Sequence, residues 1–391
     1  MKLAFVTPWY GPEAPGGAEA LARSTAECLC RRGLPVEVLT TCARDIYSDW
    51  GRDYFRAGTE SVNGVPVRRF PVRSHRDRQA FDAINLRLMA GATVTSADEE
   101  IFIREMINSP ALIAYIRAHC ADYVFLPVSY MFGTTYWGVQ ACPERSWVVP
   151  CLHDEAYAYL AVYQDMFAKA RGVLFLSRPE RDLAHRLYPI ADKPAYLIGA
   201  GVDTDYAGDA AAFRRAFGIQ GPFILYAGRK DAAKNLPLLI EYARRYREKQ
   251  HVDLKLVLTG GGALHGEATS TDGVYDLGRL DRRALFDAYA AALVLCQPSA
   301  YESFSYVLME AWVAGTPALV YQPCAVTTDF VRQANGGLYF ADYDEFEACV
   351  NVLLARPALR EQLGIQGRAY VLEHFAWDVV AERYARVLAI E

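Results

Sequence analysis

The sequence predicts an α/β protein made of two doubly wound domains that meet near residue 200. Short apolar runs alternate with longer amphipathic stretches, which is the pattern of parallel βαβ units. The alternation breaks at the Gly-rich segment 199–205 and restarts at 223. A length of 391 residues with 52% hydrophobic side chains suits two domains, each with its own core. We therefore expect domains over 1–203 and 204–375, and a final helix over 376–391 that packs back toward the first domain.

The first domain begins with a buried strand at 3–7 and an amphipathic helix at 18–32, which Gly33 ends. The less periodic, charge-rich stretch 74–106 predicts helices outside the core alternation. The remaining strands of this domain are expected at 36–40, 65–70, 124–127, 147–152, 173–176 and 195–198.

The second domain repeats the alternation. Ligands of doubly wound sheets bind beyond the carboxyl ends of the strands, so the loops after residues 7, 152, 227 and 297 are the expected places for chemistry. Strands are expected at 223–227, 254–259, 293–297 and 318–321, and helices at 236–248, 281–291, 305–314 and from 342 onward.

Composition excludes several classes of protein. Residues 1–200 carry 22 basic and 22 acidic side chains, so the net charge of −5 arises in the second half, which disfavours a nucleic-acid binder. Apolar runs are too short for a membrane span, and Pro8 and Gly11 interrupt any signal-peptide core. The nine cysteines form no Cys-x-x-Cys pair. They predict free thiols in a reducing cytoplasm, without a disulfide framework or a zinc site.

A basic loop follows the strand at 223–227 and opens a helix. It reads Gly228-Arg229-Lys230-Asp231-Ala232-Ala233-Lys234-Asn235. The helix N-terminus supplies free N–H groups, and Arg229 and Lys234 add two cations, which together suit a diphosphate. The alternative interpretation is a solvated surface loop.

A pair of glutamates follows the strand at 293–297. Glu302 stands at the expected loop tip and could accept sugar hydroxyls, whereas Glu310 falls in an apolar helix where a carboxylate needs partners. Two vicinal hydroxyls of a ribose would supply them. The alternative is that Glu310 faces solvent. Amides at the same helix start suit a phosphate contact; they belong to Ser303, Phe304, Ser305 and Tyr306.

Two further segments of the first domain are candidates. His153 ends a predicted strand and could contact a sugar hydroxyl or a leaving phosphate; the alternative is a core or capping histidine, with Asp154 capping the next helix. The turn around Gly17 lacks the Gly-x-Gly-x-x-Gly fingerprint, which disfavours an NAD-dependent enzyme. Its glycines permit close approach to phosphate or sugar.

Two charged clusters have less specific interpretations. Asp203 and Asp205 resemble a metal-binding Asp-x-Asp pair, but they stand in the expected hinge, so we interpret them as turn residues and predict no metal there. A basic patch could meet anionic lipid or an acceptor pyrophosphate, or it could be an ordinary charged loop. Its arginines are Arg68, Arg69, Arg73, Arg76 and Arg78.

Together these segments resemble the family 4 retaining glycosyltransferases of GT-B architecture, in which two Rossmann-like domains face each other across a cleft. The resemblance covers most of the chain and is most specific at the Glu302…Glu310 pair. Ser303 and Ser305 depart from it, because the family often has glycine at both positions.

The resemblance implies a role for each candidate. Arg229 and Lys234 bind the donor diphosphate next to Gly228, and Glu310 holds the ribose. Glu302 contacts the transferred sugar, with His153 near its hydroxyls or the leaving phosphate. The implied base-binding residues are Arg279 and Leu280, and the implied first-domain contact with donor or acceptor is Gly17.

We therefore expect a metal-independent, retaining hexosyltransferase that uses a nucleotide sugar, UDP- or GDP-linked, in bacterial surface glycan synthesis such as that of lipopolysaccharide. The first domain would take a saccharide or lipid-linked acceptor, and the enzyme would be cytoplasmic, with peripheral association with the inner membrane face. Two alternatives stay open: a sugar-nucleotide epimerase of the same architecture, and a catalytically idle binding subunit.

Overall fold

The chain divides into two units in the computed structural model. Unit 1 comprises Met1–Gly201 and the chain from Val380 onward, and unit 2 comprises Val202–Val379. The structure describes residues 1–230, 234–262 and 273–389. The middle of the basic loop, 231–233, and the last two residues of the expected final helix lie outside the described residues.

Strands and helices alternate through unit 1 as the sequence predicts, with α2 and α3 in the charge-rich stretch. The elements are β1 (Lys2–Thr7), α1 (Gly17–Arg31), β2 (Val36–Thr41), β3 (Gly58–Val62), β4 (Val65–Phe70), α2 (Arg78–Met89), α3 (Ser96–Glu105), α4 (Pro110–Ala118), β5 (Tyr123–Pro127), α5 (Gly133–Ala141), β6 (Trp147–Val148), α6 (Ala161–Lys169), β7 (Gly172–Phe175), α7 (Arg178–Leu187) and β8 (Ala195–Leu197).

Unit 2 continues the alternation and ends in three helices. The elements are α8 (Ala210–Phe217), β9 (Phe223–Ala227), α9 (Leu236–Gln250), β10 (Lys255–Thr259), β11 (Val274–Asp276), α10 (Arg282–Ala291), β12 (Val294–Gln297), α11 (Tyr306–Val313), β13 (Ala318–Tyr321), α12 (Ala325–Ala334), β14 (Gly337–Phe340), α13 (Tyr343–Ala355), α14 (Pro357–His374) and α15 (Trp377–Leu388), whose last residues belong to unit 1.

The main sheet of unit 1 has the strand order β3-β4-β2-β1-β5, parallel except for the β3–β4 hairpin. Isolated bridges, Phe125 to Ser146 and Val128 to Val149, join β5 to the β6-β7-β8 sheet. The end of the chain packs on this unit: the ring of Tyr384 on α15 lies 6.5 Å from that of Phe5 on β1.

The sheet of unit 2 has the order β11-β10-β9-β12-β13-β14, with every described pairing parallel. Strands β9, β10 and β11 follow one another toward one edge of the sheet, and β12, β13 and β14 follow one another toward the other edge. The direction of the strand order therefore switches between β9 and β12. Residues 223–227 are buried throughout β9, as expected of a central strand covered on both faces. The loops after β9 and β12 therefore meet at the point where ligands of such sheets bind.

Two sequence predictions for unit 1 are wrong. The strand expected over 147–152 ends at Val148, because Pro150 has no N–H for a ladder and Cys151 turns to a φ of +49°. The cysteines are not all free thiols, because Cys120 and Cys142 form a disulfide with their Cα atoms 5.7 Å apart. The ends of α4 and α5 bring the two together, and sequence spacing carries no sign of that.

None of the described helices is both long enough and apolar enough to cross a bilayer.

Candidate active site

The predicted donor residues of unit 2 gather at the switch between β9 and β12. Lys234 and Asn235 precede α9, and Glu302 lies between β12 and α11. The side-chain amide of Asn235 donates to the carbonyl of Pro298 over 3.1 Å, which ties the two loops together.

Lys234 and Glu302 form an ion pair in this site. The Nζ of Lys234 lies 2.6 Å from Oε1 of Glu302, and Nε2 of Gln297 donates to the same oxygen over 2.8 Å. The side chain of Lys234 is 22% exposed and that of Glu302 is 10% exposed. The sequence predicted a phosphate ligand and a sugar ligand separately, and the structure brings them into contact.

The start of the basic loop is fixed by the neighbouring strand. The N–H groups of Gly228 and Lys230 donate to the carbonyls of Thr259 and Gly261 over 3.0 and 2.9 Å. Gly228 has a φ of +151°, a conformation that favours glycine. Arg229, half-buried, accepts a hydrogen bond at its carbonyl from the hydroxyl of Tyr226. The backbone on either side of Arg229 is thus hydrogen-bonded to the end of β10 and the loop after it.

Lys230 is a structural residue of this loop that sequence reasoning missed. Its buried Nζ lies 2.6 Å from Oδ1 of Asp276 and 3.0 Å from the carbonyl of Gly260. It therefore ties β9 to the loops after β10 and β11. Its place between two candidate cations hid this role, because the sequence does not show which lysine of a basic loop turns inward.

Glu310 lies on the second turn of α11 with its side chain 15% exposed. The hydroxyl of Tyr289 donates to Oε2 over 3.2 Å, and a guanidinium nitrogen of Arg282 lies 3.9 Å from Oε1. Burial raises the pKa of Glu310, while Arg282 and Tyr289 oppose that rise. The carboxylate therefore has partners inside the protein and retains a small opening to solvent.

The start of α11 carries backbone strain beside buried polar atoms. Ser305 has a φ of +84°, in the left-handed region that favours glycine. Gln297 Oε1, Ser299 Oγ and Ser305 Oγ are buried and accept or donate no hydrogen bond within the described residues. Such atoms next to the Lys234–Glu302 pair are what a polar ligand would satisfy.

The other predicted residues of this loop contribute in different ways. The ring of Phe304 is buried against Phe330 and Phe375, with centroids 5.6 and 5.1 Å apart, so only its backbone is available to a ligand. Ser303 and Tyr306 are half-buried at the start of α11.

The predicted base-binding residues follow β11 at the same edge of the sheet. Arg279 is exposed and Leu280 is half-buried. Gly278 precedes them with a φ of +64°, and its carbonyl accepts from the N–H of Gly260 over 2.8 Å. This turn is fixed to the loop after β10, at the carboxyl-end edge of the parallel sheet to which the loops after β9 and β12 also belong.

His153 in unit 1 follows the short strand β6. Its Nδ1 lies 3.4 Å from Oε1 of Glu155, and its side chain is 31% exposed, so it is not a core histidine. The capping role weighed for Asp154 is wrong, because that carboxylate accepts from the hydroxyl of Tyr159 over 2.7 Å and caps no helix.

Gly17 is the first residue of α1, after the loop that follows β1. Gly16 before it has a φ of +122°, and a Cβ there would lie 2.1 Å from a carboxylate oxygen of Glu19. The buried carboxylate of Glu19 in turn accepts from Nε1 of Trp9 over 2.6 Å. The glycine turn therefore fits around a side chain of its own helix.

Most arginines of the basic patch have acidic partners. Arg69 is buried, pairs with Glu60 and donates to the carbonyl of Tyr10, so its guanidinium is not available to a membrane surface. Arg76 has an exposed side chain. The other patch pairs are Arg68 with Glu37 at 3.0 Å, Arg73 with Glu105 at 3.7 Å and Arg78 with Asp82 at 2.8 Å.

The Asp-x-Asp segment engages protein groups. Oδ1 of Asp203 accepts from Nε1 of Trp377 over 2.6 Å, and Oδ2 lies 2.8 Å from a guanidinium nitrogen of Arg282. In the described part of the chain, metal-type ligand atoms group only at Cys120, Cys142 and Glu144, where the two sulfurs bond to each other.

Comparison with known sequences gives a family for the second unit. Residues 210–370 match the model of the family Glycosyl transferases group 1. A protein of Methanocaldococcus jannaschii described as an uncharacterized glycosyltransferase is 23% identical over all of this chain and 98% of its own length. D-inositol 3-phosphate glycosyltransferase of Kribbella flavida is 31% identical over 50% of this chain and 51% of its own length.

Three solved structures resemble the whole chain and show its fold. Sucrose-phosphate synthase from Thermosynechococcus elongatus has a TM-score of 0.73 at 19% identity, with both chains fully covered. Anabaena HepE, solved with UDP-glucose, has a TM-score of 0.68 at 16% identity, again with full coverage. WaaG, described as a glycosyltransferase involved in lipopolysaccharide biosynthesis, has a TM-score of 0.68 at 16% identity over 98% of this chain and 99% of its own. The chain thus has the GT-B fold, and residues 210–370 within it match the model of the group 1 glycosyl transferases.

Proposed function

We propose that this protein is a glycosyltransferase, specifically a retaining hexosyltransferase that takes its sugar from a nucleotide-sugar donor. The observation that carries the proposal is the Lys234–Glu302 pair at the switch between β9 and β12, with Glu310 on the helix that follows. The pair places a cation for a diphosphate beside a carboxylate for sugar hydroxyls, and Glu310 supplies a second carboxylate for a ribose.

The donor site has a distinct task for each side chain. Arg229 and Lys234 bind the diphosphate, and the amides at the start of α11 add N–H donors at the positive end of a helix. Glu310 accepts from the two ribose hydroxyls, and Glu302 accepts from the transferred sugar. The buried oxygens of Gln297, Ser299 and Ser305 then gain the partners that they lack among the described residues.

Retention follows from a reaction on one face of the sugar. The bond from the anomeric carbon to the leaving phosphate breaks, and a bond to the acceptor oxygen forms on the same face. The acceptor proton passes to the departing phosphate oxygen, so the enzyme needs no nucleophile. Arg229 and Lys234 stabilise the negative charge that develops on the phosphate, and no metal ion is required for that stabilisation.

The donor and the acceptor are inferred from the solved structures that resemble the chain. The UDP-glucose in the HepE structure supports a UDP-sugar donor, with a GDP-sugar as the alternative. The description of WaaG supports a role in surface glycan synthesis such as that of lipopolysaccharide. We further propose a saccharide or lipid-linked acceptor and peripheral association with the cytoplasmic face of the inner membrane. Unit 1 would bind the acceptor, with His153 and Gly17 as its contacts to donor or acceptor.

A screen for donor binding followed by product analysis tests this function. Thermal shifts with UDP-, GDP- and ADP-glucose identify the base, and NMR of the product from a suitable saccharide acceptor gives the anomeric configuration. An inverted product would contradict retention. Conversion of the donor into an epimer without acceptor would favour the epimerase, and binding without turnover would favour an idle subunit.

A further inference from the structure

Glu180 is a buried carboxyl group that the donor site does not use. It lies in the first turn of α7 in unit 1, with 1% of its surface exposed. A buried carboxyl group is costly unless hydrogen bonds compensate it, so its partners indicate what it does.

The partners of Glu180 are backbone N–H groups from two loops. Oε1 accepts from the N–H of Leu152 over 2.8 Å, and Oε2 accepts from the N–H of Leu176 over 2.6 Å. The N–H groups of Cys151 and Ser177 also donate to this carboxyl group. Each pair of donors follows one of the neighbouring parallel strands β6 and β7, so Glu180 joins the two strand ends.

The loop after β6 needs such a support. Cys151 has a φ of +49°, a left-handed conformation that costs a non-glycine residue free energy unless its surroundings impose it. Leu152 is 1% exposed, so in the intact protein its N–H depends on the carboxyl group of Glu180 for a hydrogen bond. The hydrogen bonds of Glu180 therefore hold the backbone at the two residues that directly precede His153.

We propose that Glu180 is a positioning residue for His153, acting through the backbone of Cys151 and Leu152. The proposal rests on the proposed function, in which His153 contacts the sugar or the leaving phosphate. It adds a residue that touches neither donor nor acceptor but sets where the imidazole stands.

A readout without substrate tests the placement directly. The protein with 13C-labelled histidine gives ring resonances, of which the His153→Ala variant identifies the one from His153. We expect Glu180→Ala to shift that resonance, and Glu180→Gln to shift it less, because the amide keeps one acceptor oxygen. An unchanged His153 resonance in folded Glu180 variants would overturn the proposal, whatever the activity.

Ala184→Gly is the matched control. It weakens the same helix at a buried position and keeps the carboxyl group of Glu180. It should lower Tm and leave the His153 resonance in place. A shift as large as that of Glu180→Ala would assign the effect to the loosened helix and overturn the proposal.

A double-mutant cycle tests the catalytic consequence with UDP-glucose as the donor probe. We expect Glu180→Ala to lower kcat about 10- to 100-fold with little change in donor KM, since misplacement of a reacting group acts on turnover. In the His153→Ala background the same change should have little further effect. If the losses in kcat from Glu180→Ala and His153→Ala were additive in the double variant, the proposal would be overturned. Absence of wild-type turnover with every nucleotide sugar would instead refute the proposed function and leave the resonance test intact.

Discussion

Nζ of Lys234 lies 2.6 Å from Oε1 of Glu302, although the two residues are 68 positions apart in the sequence. Under the proposed function, these two side chains serve different parts of the donor, and in the structure they form an ion pair with each other. If the proposed roles hold, we expect donor binding to separate this pair, with Lys234 turning to phosphate while Glu302 keeps the amide of Gln297 and gains sugar hydroxyls.

Lys234→Ala should lower kcat by about 10²- to 10³-fold, the loss expected when one donor to a developing negative charge is removed. Initial rates at saturating donor measure it. Lys249→Ala is the matched control, because Lys249 lies on α9 and forms a 2.6 Å pair with Glu347. Equal rates for the two variants would show that Lys234 has no role in the reaction.

Glu310→Ala should weaken UDP binding by about 10- to 100-fold, since it removes hydrogen bonds from two hydroxyls to a charged acceptor. Calorimetric titration measures the affinity. Glu248→Ala serves as control, because that glutamate pairs with Arg244 on the surface of α9. A Kd for UDP equal to that of the control would show that Glu310 does not hold the ribose.

Ser305→Gly should stabilise the protein by about 0.5–1 kcal/mol, because glycine adopts a φ of +84° without the cost that serine incurs. For a unit of this size we expect Tm to rise by roughly 2 °C in a thermal scan. Ser303 does not have a positive φ, so Ser303→Gly relieves no strain and should not raise Tm. A lower Tm for the Ser305 variant would mean that the Ser305 hydroxyl contributes to stability.

Stability should depend on pH through Glu180, because burial raises its pKa to about 8. Unfolded glutamate titrates near about 4.3, so the folded state holds the extra proton between these values. The free energy of unfolding should therefore fall as pH rises from about 4.3 to about 8. Urea titrations at pH 5 and pH 8 measure the free energy of unfolding. Relative to the wild type, the Glu180→Gln variant should be more stable at pH 8 than at pH 5. A constant difference between the two proteins would contradict this.

The disulfide predicts a thiol count. In denaturant without reductant seven cysteines should react with a thiol reagent, and after reduction nine should react. Closing a loop of 22 residues stabilises by about 3 kcal/mol in the chain-entropy view, so reductant should also lower Tm. Nine reactive thiols before reduction would mean that Cys120 and Cys142 do not form the bond in the isolated protein.

The architecture, and the family whose model residues 210–370 match, were predictable from the sequence because they depend on local pattern. Apolar runs such as 223–227 mark central strands, and the spacing of Glu302 and Glu310 marks the donor loop. Residues that act through tertiary contacts were not predictable. Lys230 turns inward only because Asp276 lies beside it, and Glu180 gains a role only where β6 and β7 run side by side.

Charge patterns were the least informative part of the sequence. The arginines between 68 and 78 suggested a basic surface, but their partners Glu37, Glu60 and Glu105 come from other strands and helices. A sequence displays the cations of a patch together while it hides the acids that neutralise them. The disulfide was not predicted for the same reason, because Cys120 and Cys142 lie at the ends of different helices.

The neighbouring strands β9 and β12 also determine when the donor site can form during folding. Two strands and their crossovers separate them along the chain, so a long loop must close before Glu302 reaches Lys234, and that closure costs entropy in advance of any contact. A growing chain that stops short of residue 302 holds the basic loop without its carboxylate. Under the proposed function, the capacity to bind a nucleotide sugar therefore arises only once β12 and the loop after it have joined β9.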